Sequence, residues 1–463
     1  MLAMTVNEVC RATGGRLSQG DGESIISSVS TDSRSARPGD IFIALRGERH
    51  DAHNFTGAAI SAGAAALILE REAGGIPPAL PVILVADTIK ALQDLARYNR
   101  SRMNLPVVGV TGSSGKTTTK DMVAAVLGAR FNTLKTRGNL NNEIGLPLSL
   151  LELGAGHSAA VIEMAMRGPG EIETLCRIAL PTAAVITNIG EAHLERLGSV
   201  DAIARAKGEI LGHVPAGGFA LLHGESPFIK REAGRCRGRV FFYGTGEGNE
   251  IRAAGIKPGQ GGNHLEVLAG MGREEQRFPL FVPAPGLHNV VNALAAAGVG
   301  LALGLTPGEI AGGLAGLQLS ALRQEIIESG GITFINDTYN ANPDSARAAL
   351  QALGEISRGR RAVAVLGNML ELGDVTAEKH RNVGLAASKV ASLVVAVGDL
   401  AEGVASGALA GGLSSESVFT CRGNPEAVDR LRCLLRPGDV VLVKGSRVMK
   451  MEEIVNSFAC PGE

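Results

Sequence analysis

The chain has no tryptophan, and aromatic residues make up only 3% of its 463 positions. Stacking platforms for single-stranded nucleic acid need several rings, so that class of partner is disfavoured. An excess of one charge is also missing, since 45 Lys and Arg stand against 46 Asp and Glu. Such balance argues against nucleic acid or an anionic membrane held by bulk charge. Cysteines are scattered at positions 10, 176, 236, 421, 433 and 460, with no Cys-x-x-Cys pair. That favours reduced thiols in the cytoplasm over a disulfide framework or a zinc site. The longest apolar run, Val290–Leu305, contains Asn292 and is too short to span a bilayer. The first residues, MLAMTVNEVCRATGG, carry Glu8 and Arg11 and no long apolar stretch, so no signal peptide is read. The expectation is a cytoplasmic protein without membrane insertion.

Gly, Ala, Val and Leu dominate instead, as in α/β proteins with aliphatic cores and tight loops. The length suggests about three domains. The most informative stretch is PVVGVTGSSGKTTTKDMVAAVLGA, from Pro106 to Ala129. Val107–Val110 reads as a buried strand, and Met122, Val123, Val126 and Leu127 mark one face of a helix. Between them, Gly112, Ser113, Ser114 and Gly115 form a glycine-rich turn running into Lys116, Thr117 and Thr118. Backbone N–H groups converge on a polyphosphate in such a turn, and the helix N-terminus adds partial positive charge. Lys116 is placed to reach the β- and γ-phosphates, and the Thr117 hydroxyl to ligate Mg²⁺. Val110 stands where the commoner form of this loop has glycine, so this is a shorter T-G-x-x-G-K-T variant. The stretch points to a nucleoside triphosphate.

The rest divides around this loop into regions 1–103, 104–318 and 319–463. In the first, Ile41–Leu45 and Ala66–Leu69 read as strands and Ala58–Ala66 as a helix. The polar turns holding Asp32, Ser33, Arg34 and Arg46-Gly47-Glu48 read from composition as solvated loops. In the second, Ala159–Met164 and Ala183–Asn188 are apolar runs ending in polar residues, the form of parallel strands whose C-terminal ends carry a site. Thr136, Asn139, Asn141 and Asn142 lie in a loop before the first of these, and suit a ligand contact or a plain turn. Residues 214–285 look β-rich, and Lys230, Arg231, Arg235, Arg237 and Arg239 read as a solvated basic face. After Pro285-Gly286 a helix follows, with His288, Asn289 and Asn292 near its start. The third region alternates strands (Ile332–Asp337, Ala362–Leu366, Leu393–Val397, Val440–Val443) with helices, a doubly wound pattern without G-x-G-x-x-G.

A phosphate loop alone does not separate a kinase, a transporter ATPase, a GTP switch and a ligase. The base-specific motif of GTPases and a transporter-type L-S-G-G-Q segment are both missing. Glu163, at a strand end, is placed to hold Mg²⁺ directly or through water, because an unpaired buried carboxylate is costly. His193 lies just beyond another strand end and suits a structural role or a ligand. Lys207, in DAIARAKGEILG, reads from composition as an ordinary exposed lysine. ATP-driven chemistry on a small molecule is the reading these residues favour.

The motifs TGSSGKTTT (111–119), TRGNLNNEIGLPL (136–148), TNIGEAHLERLGS (187–199), AKGEI (206–210), PGLHNVVNALAA (285–296), NDTYNANPDS (336–345) and LVKGSR (442–447) follow the order of the Mur ligase family. The chain resembles that family over nearly its full length. The Asp337–Pro343 segment resembles the member that adds D-alanyl-D-alanine, and the D-N-P-R motif of the third-residue ligase is missing. The resemblance implies an N-terminal UDP-sugar-binding α/β domain, a central phosphate-loop ATPase with a parallel sheet and a small β-rich subregion, and a C-terminal Rossmann-like α/β domain. It implies ATP, two Mg²⁺ ions and a carbamylated lysine at Lys207. Thr117 and Glu163 match one ion site, His193 and Lys207 the other. Asn289 matches an adenine contact, Asp337 a ribose contact, and Arg323 a γ-phosphate contact made on domain closure. Ser33, Arg34 and Arg46 fall in the segment resembling the UDP-binding region, although Ala52 departs from its pattern. Thr136, Asn139, Asn141, Asn142, Tyr339 and Asn340 are the remaining substrate candidates.

The implied substrates are UDP-MurNAc-tripeptide and D-Ala-D-Ala, used by a monomer in peptidoglycan precursor synthesis. A ligase adding one amino acid is the nearest alternative, either the third-residue enzyme or a folate polyglutamate synthase. The latter needs no UDP-sugar domain. A non-catalytic nucleotide-binding regulator of the same fold is the alternative from another class.

Overall fold

The strand Val107–Thr111 lies inside a nine-stranded sheet and divides the middle of the molecule in two. Val107 joins one apolar cluster with Ile162, Ala184 and Leu222, whereas Val108 and Val110 join another with Val161, Val185 and Leu221. A strand covered on both faces requires this alternation. In the computed structural model, which describes residues 1–47, 50–259, 261–272 and 274–459, the helices Lys116–Gly128 and Leu287–Ala302 cover the second face. Glu48 and Cys460, both used in reading the sequence, lie outside the described residues.

From one edge the sheet runs Gln276–Val282, Gly262–Ala269, Ile251–Gly259, Arg239–Gly244, Phe219–His223, Ala183–Ile186, Val107–Thr111, Ala159–Glu163, Thr133–Lys135. Pairing is parallel from Thr133–Lys135 as far as Ile251–Gly259, then antiparallel for the last two strands. The β-rich stretch expected over 214–285 therefore continues the same sheet. Its basic residues, Lys230, Arg231, Arg235, Arg237 and Arg239, are exposed as expected, with Arg231 and Arg235 paired to Asp201 and Glu232.

The N-terminal sheet runs Arg16–Gln19, Val82–Leu84, Ala66–Leu69, Asp40–Ile43, Ser28–Ser30, parallel apart from the first strand. The helix expected over Ala58–Ala66 occupies Thr56–Ser61 instead. Gly63, at a φ of +107°, turns the chain there toward the strand at Ala66. Asp87 caps the next helix, Thr88–Ser101, by accepting from the Ile89 and Lys90 N–H groups. Ala91, Leu92, Leu95 and Ala96 on that helix share one apolar cluster with Ile41 and Ile83 of the N-terminal sheet and with Leu146, Leu150 and Ile162 of the middle region. The core is continuous across the helix.

The C-terminal sheet runs Glu325–Ser329, Ile332–Asn336, Val440–Lys444, Ala362–Gly367, Leu393–Val397, Val418–Cys421, with only the first strand antiparallel. The four parallel strands named from apolar runs start and stop within a residue of the expected positions, and Val418–Cys421 adds a parallel edge strand that the sequence did not indicate. Apolar clusters cover both faces.

A buried charge ties the chain entering this last sheet to the phosphate-loop helix. The Asp121 carboxylate is fully buried, with Lys120 Nζ at 3.1 Å and Lys135 Nζ at 2.8 Å. Its second oxygen accepts from Ser320, at 3.0 Å from the backbone N and 2.7 Å from Oγ. Burial pushes this carboxyl up, but Lys120, Lys135 and Ser320 outweigh it and hold the group below its ordinary pKa. Its stabilisation is therefore complete above the unfolded value of about 3.9 and fades as pH falls through the lower folded one. Asp121→Ala strands the Lys120 ammonium in the interior, where breaking a buried pair costs about 3–5 kcal/mol. The urea midpoint at pH 7 should fall by a corresponding amount. An unchanged midpoint would show that Lys120 finds adequate partners elsewhere.

Candidate active site

The strand Val107–Thr111 delivers the chain into a turn that only glycine fits at its first corner. A Cβ on Gly112 would lie 1.9 Å from Thr187 Oγ1, and Gly115 has a φ of +76°. The turn is stitched to the segment following the strand Ala183–Ile186. Ser113 N–H donates to the Asn188 carbonyl at 2.9 Å, and Ser114 N–H to Asn188 Oδ1 at 2.7 Å. Asn188 Nδ2 donates in return to Ser114 Oγ at 2.8 Å, and Thr187 Oγ1 to the Ser114 carbonyl at 2.6 Å. The first helical residue, Lys116, curls back to donate to the Gly112 carbonyl at 2.9 Å. These bonds hold the loop in shape at a helix N-terminus, where unpaired N–H groups attract anions.

A cleft of about 380 Å³ opens in front of this loop, lined by residues 113–118, Asn141, Glu163, His193 and Asn289. Arg323, Gln324, Asp337, Tyr339, Asn340 and Lys444 line its other side. Asn289 Nδ2 donates to the Pro285 carbonyl at 2.7 Å and to Gln324 Oε1 at 2.9 Å. Lys444 donates to Asp337 Oδ2 at 2.6 Å and to the Asn340 carbonyl at 2.9 Å, which fixes the Asp337 carboxylate. The Arg323 guanidinium stands 4.0 Å from the centre of the Tyr339 ring, a cation–π contact that aims it from the C-terminal side.

Two buried polar atoms among the described residues stand out here. Glu163 is 2% exposed; its Oε1 accepts from Asn141 Nδ2 at 2.8 Å, and its Oε2 has no partner. Lys207 is 0% exposed and its Nζ also has no partner. The composition-based expectation of an exposed Lys207 is thus overturned. The helix Val200–Gly208 turns Ile203, Ala204 and Lys207 inward on one face. Burial, reinforced by Lys116 as a neighbouring like charge, pushes the Lys207 amine well below the ordinary lysine range. Burial also lowers Lys116, with Glu163 opposing and Arg323 assisting. His193 is lowered chiefly by burial, although Glu371 opposes, with Nδ1 2.5 Å from Glu371 Oε2.

Not every sequence candidate reaches the cleft. Thr136 is fully buried, and its hydroxyl accepts the Glu163 N–H at 3.0 Å, so it supports that strand end. Asn142 Oδ1 accepts the Gly145 N–H at 2.8 Å at the start of the helix Gly145–Leu151, and Asn139 is exposed. Gly112 and Lys207 are not among the residues lining the cleft, although Lys207 lies near Lys116. Ser33, Arg34 and Arg46 sit apart in the N-terminal region, where Arg34 pairs with Asp32 at 2.7 Å. Sequence reasoning assigned no role to Asn188, Gln324, Glu371 or Lys444. Lys444 had a signal, a lysine closing an apolar strand, as did Asn188 beyond its own. Gln324 and Glu371 had none, being brought in by loops distant in sequence.

Comparison with known proteins gives a consistent picture. Residues 25–100 match the profile described as Mur ligase family, catalytic domain; 110–300 match Mur ligase middle domain; 322–447 match Mur ligase, glutamate ligase domain. The UDP-N-acetylmuramoyl-tripeptide--D-alanyl-D-alanine ligase of Bacillus subtilis is 39% identical over 462 residues, 99% of either chain. A crystal structure of MurF from Acinetobacter baumannii superposes with a TM-score of 0.89 at 35% identity, covering 99% of both chains. MurF ligase from Thermotoga maritima in complex with ADP gives 0.81 at 31%, covering 93% of this chain and 97% of that one.

The stitching of the loop generates a test. Asn188→Ala removes two side-chain hydrogen bonds to Ser114, each worth about 0.5–1.5 kcal/mol net. The affinity for a non-hydrolysable ATP analogue, measured by calorimetry, should drop about tenfold, and the unfolding midpoint should fall as well, because both bonds are present without ligand. Wild-type affinity in this variant would show that the loop keeps its shape without Asn188.

Proposed function

The chain belongs to the Mur ligase family, and on that premise we infer that its cleft joins D-alanyl-D-alanine to UDP-N-acetylmuramoyl-tripeptide at the expense of ATP. It is an ATP-dependent ligase of peptidoglycan precursor synthesis. The observation that carries this reading is the meeting, in one cleft, of the phosphate loop at Lys116 with Arg323 and Asp337 from the C-terminal side. Full-length similarity to D-alanyl-D-alanine-adding ligases, one of them solved with ADP, supports the same reading.

The chemistry follows from the weakness of a carboxylate as acyl donor. Oxygen of the tripeptide's terminal carboxylate attacks the γ-phosphorus, giving an acyl phosphate and ADP. The amine of D-alanyl-D-alanine then attacks the acyl carbon, so that the amide forms and phosphate leaves with loss of a proton. Lys116 counters charge at the β- and γ-phosphates, and Arg323 reaches the γ-phosphate from the opposite side. Asn289 holds the adenine, and Asp337, fixed by Lys444, the ribose. Ser33, Arg34 and Arg46 serve the uridine diphosphate end, Asn141, Tyr339 and Asn340 the peptide. Closure of the C-terminal domain excludes water from the labile acyl phosphate. The same reading carries with it a monomer working in the cytoplasm. No described helix is long and apolar enough to cross a membrane.

The residues present fit Mg²⁺, because Glu163 Oε2 and Lys207 Nζ are buried without protein partners. Among the described residues no three His, Cys, Asp or Glu side chains converge on a ready-made metal site. Thr117 and Glu163 would hold one ion, His193 and carbamylated Lys207 a second, with phosphate oxygens among the remaining ligands. Bound Mg²⁺ offsets the repulsion between the attacking carboxylate and ATP. Burial and the nearby Lys116 favour the neutral form of the Lys207 amine, whose electron pair attacks CO₂ with loss of a proton, and the resulting carbamate is a hard anionic ligand.

Phosphate release from ATP should require both UDP-MurNAc-tripeptide and D-Ala-D-Ala. Equal turnover with a UDP-muramoyl-dipeptide and a free diamino acid would move the chain to the third-residue ligases. Lys207→Ala should lower kcat at least a hundredfold with the fold intact, and millimolar acetate should restore part of it. The unmodified protein in ¹³C-bicarbonate should show a carbamate resonance that the variant lacks. Near-normal kcat in Lys207→Ala, with or without bicarbonate, would remove the carbamate from the scheme.

A further inference from the structure

His193 does not stand alone at the mouth of the cleft. It starts the short helix Leu194–Leu197 with a φ of +64°, a conformation that costs about 1–3 kcal/mol for a residue with a side chain. Its Nδ1 faces Glu371, which has a φ of +61°. Such strain persists only where the surroundings over-determine it. On the C-terminal side the loop carrying Glu371 is held by Leu370 N–H donating to Ser446 Oγ at 3.1 Å and Met369 N–H donating to His380 Nε2 at 2.9 Å. On the other side the His193 segment docks through Lys379 Nζ to Glu191 Oε1 at 2.5 Å and Glu191 N–H to Asp344 Oδ2 at 3.2 Å. The two strained residues thus face each other across the boundary between the middle and C-terminal regions, His193 Nδ1 2.5 Å from Glu371 Oε2, and Glu195 N–H donates to the Glu371 carbonyl at 3.4 Å beside them.

We propose that Glu371 is a positioning residue that fixes the tautomer and ring orientation of His193 across the domain boundary, so that the His193 metal position is complete only when the C-terminal domain is docked. A carboxylate accepts, so His193 Nδ1 carries the hydrogen and Nε2 keeps its lone pair for a metal. An imidazole free in water favours the opposite tautomer, with hydrogen on Nε2. Undocking therefore removes both the orientation and the protonation pattern that ligation needs. Closure and metal capture become one event, and ATP does not meet a finished centre while the cleft is open. The proposal rests on His193 being a metal ligand, as in the function above.

The test uses the full chain labelled with ¹⁵N-histidine, His193→Ala identifying the His193 resonances. Wild-type protein should show hydrogen on Nδ1. Glu371→Ala should shift the signals to the Nε2-protonated form and weaken Mn²⁺ binding with a non-hydrolysable ATP analogue, read by electron paramagnetic resonance, about 10-fold or more. Its kcat should fall while the KM for ATP changes little. Glu371→Gln, whose amide oxygen accepts the same hydrogen, should keep the wild-type tautomer and most of the Mn²⁺ affinity, which a purely ionic docking role would not allow. An Nε2-protonated His193 in the wild type, or Glu371→Ala with tautomer and Mn²⁺ affinity both unchanged, overturns the proposal. Full Mn²⁺ affinity in His193→Ala overturns the metal reading itself. Loss in His193→Ala without loss in Glu371→Ala overturns the positioning role alone.

Discussion

The contact on which the site depends is the one between the glycine turn at 112–115 and the chain just beyond the neighbouring strand, at 187–190. Sheet register brings these together: Ile186 pairs with Thr111, so both strands end at the same height. Thr187 and Asn188 are then directly beside the turn, and their polar groups replace the water that an open loop would need. From that shared edge the rest of the site follows. Glu163 ends the parallel neighbour on the other flank, in register with Val110. The phosphate loop, the carboxylate and the segment leading to His193 thus all leave the same end of one sheet, as ligand sites in α/β folds do.

Two polar atoms near the phosphate loop, Lys207 Nζ and Glu163 Oε2, are buried without partners. A lysine and a carboxylate oxygen buried unpaired cost more than most single side chains stabilise. Their presence, within reach of Lys116 and His193, makes sense if other groups complete them during the reaction. Asp121 illustrates the opposite arrangement. It is as deeply buried, yet both its oxygens are satisfied.

The phosphate loop and the strands with clear apolar runs were legible in the sequence because each is a local signal, whereas Thr133–Lys135 and Val418–Cys421, short and only partly buried, were not. Val107–Val110 and Val440–Val443 are β-branched runs, and Gly112 to Thr117 carry their chemistry in consecutive residues. Lys207 was not legible from composition. Whether a lysine points in or out depends on what packs over its helix face, and only the resemblance to the Mur ligases singled it out. Thr136 and Asn142 looked like ligand residues because turns and sites draw on the same polar side chains. In the structure they hold Glu163 and a helix start. Gln324 and Glu371 were invisible because their partners lie 35 and 178 residues away in sequence.

The apolar face of Thr88–Ser101 packs at once on the N-terminal strands and on the helices beneath the central sheet. A hydrophobic seam without a break gives these two parts no plane along which to slide. The softer joint is at 319–324, where a single strand of chain crosses, tethered at Ser320 and bent at Leu322 and Gln324 by positive φ angles. Mechanically the molecule resembles a vise with one fixed jaw. On the proposed reading the sugar nucleotide and the phosphates would lie on the fixed side, and a moving jaw would bring Arg323, Asp337 and Glu371 to them together in one stroke. Such a device would measure whether its cargo is present by whether the jaw can shut, and a substrate of the wrong length would be rejected as a gap rather than as a missing contact.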